Sequence, residues 1–160
     1  FPVVLASILS EYDKEEIEHL KKFGIDIGLA YQIRDDVLDV IGDQEYIGKV
    51  YSTDIRERKK RILLIYSLKN GAKEDIKKLT ETYNKKGDIS EIEVKEVIKI
   101  FERTGAIRYC VDLIKDYCNK AINHLENIKD KNVKNQLKEI SSLLTRFNDL
   151  PKNLKIKFLE

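Results

Sequence analysis

At 160 residues, with 42% hydrophobic and 36% charged side chains, the chain has the composition of a globular protein long enough to bury a core, and one domain is the expectation. Lys and Arg number 30 against 28 Asp and Glu, a net charge of +2, so nothing global points to nucleic acid. A mean hydropathy of −0.43 and the lack of an apolar run of about 18 residues exclude an integral membrane segment, while 2 prolines and 7 glycines favour long helices over a turn-rich β-sandwich.

Asp13 with Glu16 three residues on has the pattern of a capping box, and Gly42 is the next stop signal, so the first helix is expected from about Lys14 to Ile41. Further helices are predicted over Ile55 to Asn70 before Gly71, Glu74 to Lys86 before Gly87, and Glu91 to Arg103, the last opened by a Ser90 and Glu93 capping box. Beyond Thr104 and Gly105, Ile107, Val111, Ile114, Cys118, Ile122 and Leu125 recur at helical spacing, and Leu137, Ile140, Leu144 and Phe147 continue it after a break near Lys131. The expectation is an all-α stack of antiparallel helices, a single region over 1–160. The stretch from Gly42 to Thr53, about twelve residues, is as long as compact domains leave irregular unless it binds something.

Cys110 and Cys118 lie eight apart in a predicted helix, which puts their Cα atoms about 12 Å apart, too far to bridge. With no Cys-x-x-Cys pair and only His19 and His124, a zinc site is not expected, and a reducing, cytoplasmic setting is the default. The chain begins at Phe1 and contains no methionine, so it is expected to be less than a complete translation product.

Asp35 lies within about 40° and Asp36 within about 60° of Asp39, so three carboxylates share one helical face with Gln32 in the same arc. Like charges at these spacings repel by a few tenths of a kcal/mol each. Hard oxygen ligands on a rigid helix, completed by water and substrate phosphate, suit Mg²⁺. A solvated acidic face is the alternative, but Val37, Leu38, Val40 and Ile41 crowd the row and favour a cleft. Towards the helix N-terminus the same face carries Gly28 and Gly24, a bare wall suited to a close approach. For Gly24 a packed neighbouring helix is expected; for Gly28 a packed helix and an extended apolar ligand are equally open.

The segment from Gly48 to Arg61 holds six basic and two acidic residues. Read as a helix start with Asp54 at the N-cap, Arg56, Arg58, Lys59, Lys60 and Arg61 oppose the macrodipole, and a diphosphate there would receive them. A solvated basic patch is the alternative.

Together, Tyr31-Gln32-Ile33-Arg34-Asp35-Asp36-Val37-Leu38-Asp39-Val40-Ile41-Gly42-Asp43, then Gly48-Lys49, then Asp54-Ile55-Arg56-Glu57 and Lys59-Lys60, resemble the second aspartate-rich region of the trans-isoprenyl diphosphate synthases, the polyprenyl or geranylgeranyl diphosphate synthase family. The match runs from about Gly24 to Leu68. It implies the all-α isoprenoid synthase bundle and head-to-tail condensation of isopentenyl diphosphate with an allylic prenyl diphosphate, with Mg²⁺ as cofactor. By the same resemblance Asp35, Asp36 and Asp39 are metal ligands and Lys49 and Lys59 hold the leaving diphosphate. Gln32 lies near the developing cation, Gly28 borders the cavity for the growing chain, and the protein is a homodimer.

The family usually has Gly at Ser52, Gly at Arg58 and Thr at Arg61, and its first aspartate-rich motif is expected before Phe1, so the chain resembles the C-terminal half of a synthase. A non-catalytic helical subunit of a heteromeric synthase is a second reading. A terpene cyclase, suggested by carboxylates at Asp35, Asp39 and Asp43, ranks behind. Product length is not readable from these residues.

Overall fold

In a computed structural model, which describes residues 12–41 and 52–146, the chain forms seven described helices, and no strand occurs among the described residues. They are α1 (Lys14–Ile41), α2 (Thr53–Arg56), α3 (Ile62–Asn70), α4 (Lys73–Asn84), α5 (Glu91–Arg103), α6 (Ala106–Leu125) and α7 (Lys131–Leu144). The all-α expectation holds. Both cysteines are free and buried, and no described helix is long and apolar enough to cross a membrane. The chain divides into two compact units, residues 12–32 with 112–146 and residues 33–41 with 52–111 among those described.

In the first unit Leu20 and Phe23 of α1 pack with Ala121 and Leu125 of α6 and with Ile128, flanked by Tyr12, Ile27 and Leu137. The start of α1 uses half of the expected capping box: the Glu16 N–H donates to Asp13 Oδ1 at 2.9 Å. The Glu16 carboxylate does not complete the box but turns to Lys129, accepting from its backbone N–H at 2.8 Å with its ammonium 3.6 Å away. The carboxylate is buried, so a long-range partner displaces the local one.

The second unit buries Leu63 and Leu64 of α3, Leu79 of α4, Val94, Val97, Ile98, Ile100 and Phe101 of α5, and Ile107, Cys110 and Val111 of α6. Helices α3, α4 and α5 contact one another, and α2 contacts α5. Ser90 and Glu93 form the predicted capping box. Gly71 ends α3 in an extended conformation (φ −75°, ψ 161°) that leaves no room for a side chain, since a Cβ there would lie 2.7 Å from the Ser67 carbonyl oxygen. At Gly24 and Gly28, by contrast, an added Cβ meets nothing within 4 Å, so among the described residues no packed neighbour is found at Gly24.

The helix expected over Ile55 to Asn70 is broken. Arg58 adopts φ 58°, its N–H donates to the Ile55 carbonyl at 3.0 Å, and the Lys59 N–H donates to the Asp54 carbonyl at 2.9 Å. This pair of bonds is a Schellman closure, with arginine at the left-handed position that usually holds glycine. Helix α2 is therefore a single turn, and α3 begins at Ile62, four residues after Arg58.

Candidate functional site

The C-terminal part of α1 carries the aspartate row, and the residues after 51 fold back on it. Asp39 acts first as a cap. Its Oδ1 accepts from the Thr53 N–H at 3.2 Å and from the Thr53 hydroxyl, its Oδ2 accepts from the Asp54 N–H at 2.9 Å, and its carbonyl accepts from the Ser52 N–H at 3.0 Å. The N-cap residue is Ser52, at φ 54° and with no capping bond of its own. Asp54 is thus not the cap, and the N–H groups expected to receive a diphosphate are held by Asp39. With α2 broken at Arg58 and only one turn long, Arg56 lies in its last turn, where a cation complements the dipole rather than opposing it.

The basic residues are mostly engaged. Arg56 donates to the Ile89 carbonyl at 3.1 Å and pairs with Glu91 at 2.7 Å, and Arg58 reaches the Arg56 carbonyl at 3.3 Å and the Gly87 carbonyl. Both arginines tie the α2 turn to the loop ahead of α5. The Lys59 ammonium lies 2.7 Å from Asp54 Oδ1 and 2.9 Å from Glu57; Asp54 first, then Glu57, hold its pKa above the usual lysine value. Arg61 Nε sits 3.5 Å from Asp36 Oδ1 and 3.3 Å from Asp54 Oδ2. Lys60 is exposed.

A small cleft is lined by Asp36, Asp54, Lys59, Arg61, Tyr83 and apolar neighbours including Val40 and Phe101. Its walls alternate in charge, with Lys59 and Arg61 set among the Asp36 and Asp54 carboxylates. Burial, then the nearby Asp54 and Asp39, push the Tyr83 phenol above its usual pKa, so it stays neutral. Burial, reinforced by Asp36, likewise pushes the Cys110 thiol up to about 12, so it stays protonated and unreactive.

The three aspartates on one face therefore have three settings. Asp35 is exposed, Asp36 is buried beside Arg61, and Asp39 caps α2. Among the described residues no three His, Cys, Asp or Glu side chains gather as a metal cage. Mg²⁺ normally keeps several waters and takes one or two carboxylates plus substrate phosphates, and Asp35 is the carboxylate of the row that stands exposed. Gln32 and Gly28 are exposed on α1, and Lys49 lies outside the described residues. Asp54, Arg61 and Tyr83 line the cleft, and of these the sequence offered Asp54 only as a helix cap. Arg61 stood within the basic run, but Tyr83 carries no local signal and reaches the cleft only through packing.

The model of the polyprenyl synthetase family matches residues 1–101. The chain belongs to this family. It is 41% identical over 100 residues to a short chain isoprenyl diphosphate synthase of Methanocaldococcus jannaschii, covering 62% of this chain and 30% of the relative. It is 34% identical over 130 residues to a geranylgeranyl diphosphate synthase of Saccharolobus solfataricus, covering 80% and 38%. The crystal structure of a geranylgeranyl pyrophosphate synthase from Corynebacterium glutamicum, complexed with isoprenyl diphosphate and magnesium, superposes with a TM-score of 0.76 at 28% identity, over 84% of this chain and 38% of that one. This member of the polyprenyl synthetases thus spans less than half the length of these relatives.

Proposed function

We propose that the protein of which this chain forms part is a chain-elongating prenyltransferase that condenses isopentenyl diphosphate with an allylic prenyl diphosphate. The observation that carries the reading is the aspartate row of α1 with the Lys59 turn held beside it by the Asp39 cap, in a chain of this family. Asp35 contributes an exposed carboxylate to a Mg²⁺ site completed by substrate and by residues outside this chain. Bound Mg²⁺ would neutralise the diphosphate and assist its departure as a leaving group. Lys59 exchanges Asp54 and Glu57 for phosphate oxygens, a swap of one set of charge-assisted contacts for another, and Lys49 joins it. Asp39 holds the turn that aims Lys59, Gln32 faces the developing allylic cation, and Gly28 leaves room for the prenyl chain. Exposed Ile65, Leu68 and Tyr109, with Tyr66 stacked on Tyr109 at 4.4 Å, offer apolar surface for a homodimer working in the cytoplasm.

The test is incorporation of labelled isopentenyl diphosphate by the full-length protein. Asp35→Ala should lower turnover by about a hundredfold or more, while Asp13→Ala, at the far end of α1, should stay within a few-fold. Equal losses in folded protein refute the metal role. The Arg61 guanidinium beside Asp36 favours a second reading, a non-catalytic subunit that works with an active partner, which turnover by the protein alone excludes.

A further inference from the structure

We propose that Arg61 is the resident cation of the Asp36 and Asp54 carboxylate pair, and that it keeps divalent metal away from this end of the aspartate row. The inference rests on the metal role given to that row. The two carboxylates are nearly enclosed, with side chains 7% and 12% exposed, and Arg61 Nε stands 3.5 Å from one and 3.3 Å from the other. Two anions this close in a protected setting need a positive charge, and a guanidinium supplies it as a flat, weakly hydrated group that can face both.

Space reinforces charge. The cleft beside the pair has a volume of about 10 Å³, at the threshold for one water, so a hydrated divalent ion does not enter while Arg61 is in place. Lys59 holds the other oxygen of Asp54 at 2.7 Å, so Asp54 faces a cation on each side. Metal binding is thereby confined to the exposed side of α1 at Asp35, and Asp36, which shares the motif, serves as an anchor for Arg61. A residue without charge at position 61 would return Asp36 and Asp54 to the metal.

The experiment measures Mn²⁺ affinity of the full-length protein by loss of the free-ion EPR signal, with inorganic pyrophosphate present, and follows thermal stability with and without Mn²⁺. Arg61→Thr should bind Mn²⁺ at least about tenfold more tightly, since a unit charge beside a ligating carboxylate has that weight at surface-like dielectric. Its melting temperature should fall without metal and recover with it. The affinity gain should vanish in Arg61→Thr/Asp36→Asn. Arg61→Lys, which keeps the charge but loses the fork, should gain about threefold, and it decides the matter should the threonine variant fail to fold even with Mn²⁺. Unchanged affinity in the folded variants, with Mn²⁺ bound by the wild type, overturns the resident-cation role and leaves the metal reading standing. No Mn²⁺ binding by any form, wild type included, overturns both.

Discussion

Ser52 is the residue where replacement should strengthen the protein. It is fully buried, its φ is 54°, and its hydroxyl finds no hydrogen-bond partner among the described residues. Holding a non-glycine residue in the left-handed region costs about 1–2 kcal/mol, and a buried hydroxyl without a partner costs about 1–3 kcal/mol. Glycine removes both, against about 0.4–1 kcal/mol of extra freedom in the unfolded chain. Ser52→Gly should therefore stabilise by about 2 kcal/mol, raising Tm by about 4–8 °C for a protein of this size. Ser52→Ala removes the hydroxyl but keeps the left-handed strain, so it should gain about half as much. The Ser52 N–H bond to the Asp39 carbonyl, 3.0 Å long, survives in both. Calorimetry of the three proteins side by side separates the two causes. A glycine variant less stable than the alanine variant refutes the strain reasoning, and two variants both weaker than wild type would mean that the hydroxyl is satisfied after all.

Asp39→Ala should destabilise by about 2 kcal/mol in urea unfolding with EDTA present, because its carboxylate caps α2 without metal; a loss seen only with Mg²⁺ contradicts the capping role. Gly71→Ala should destabilise by about 1–3 kcal/mol, since its Cβ meets the Ser67 carbonyl at 2.7 Å. Gly28→Ala should instead stabilise by about 0.5–1 kcal/mol as a helix-interior glycine in open space, and a raised KM for the allylic substrate would place Gly28 in the prenyl path. Lys85 first, then the Ser90 side chain and N–H, hold Glu93 down from 4.5 to about 2. A depressed carboxylate pKa stabilises the fold above the unfolded value and loses that contribution as pH falls. The stability gap between wild type and Glu93→Gln should accordingly be full above pH 4.5 and close as pH approaches about 2, as read from urea midpoints across that range.

Where helix boundaries depend on local chemistry, the residues announce them. Ser90 with Glu93 closes a complete capping box, and α1 begins at Lys14 behind its Asp13 cap. Two local readings fail for the same reason, which is that a partner far along the chain outcompetes the near one. Glu16 abandons its box for Lys129, and the α2 turn takes its cap from Asp39, fourteen residues upstream. The break at Arg58 was hidden because arginine is a good helix former. Only the family's usual glycines at 52 and 58 hinted at it, and both positions have positive φ.

The aspartate row follows the same logic at the level of function. Helical spacing places Asp35, Asp36 and Asp39 on one face, but spacing says nothing about what stands opposite each carboxylate. Opposite Asp39 are the N–H groups of Thr53 and Asp54, and opposite Asp36 is the Arg61 guanidinium. Each partner satisfies a charge that the helix alone would leave repelling its neighbours. One motif thus divides into a carboxylate that builds the turn, one that anchors a cation, and one, Asp35, that remains exposed at the surface. The self-repulsion that marked the row in the sequence is met within the chain at Asp36 and Asp39, while Asp35 stays exposed.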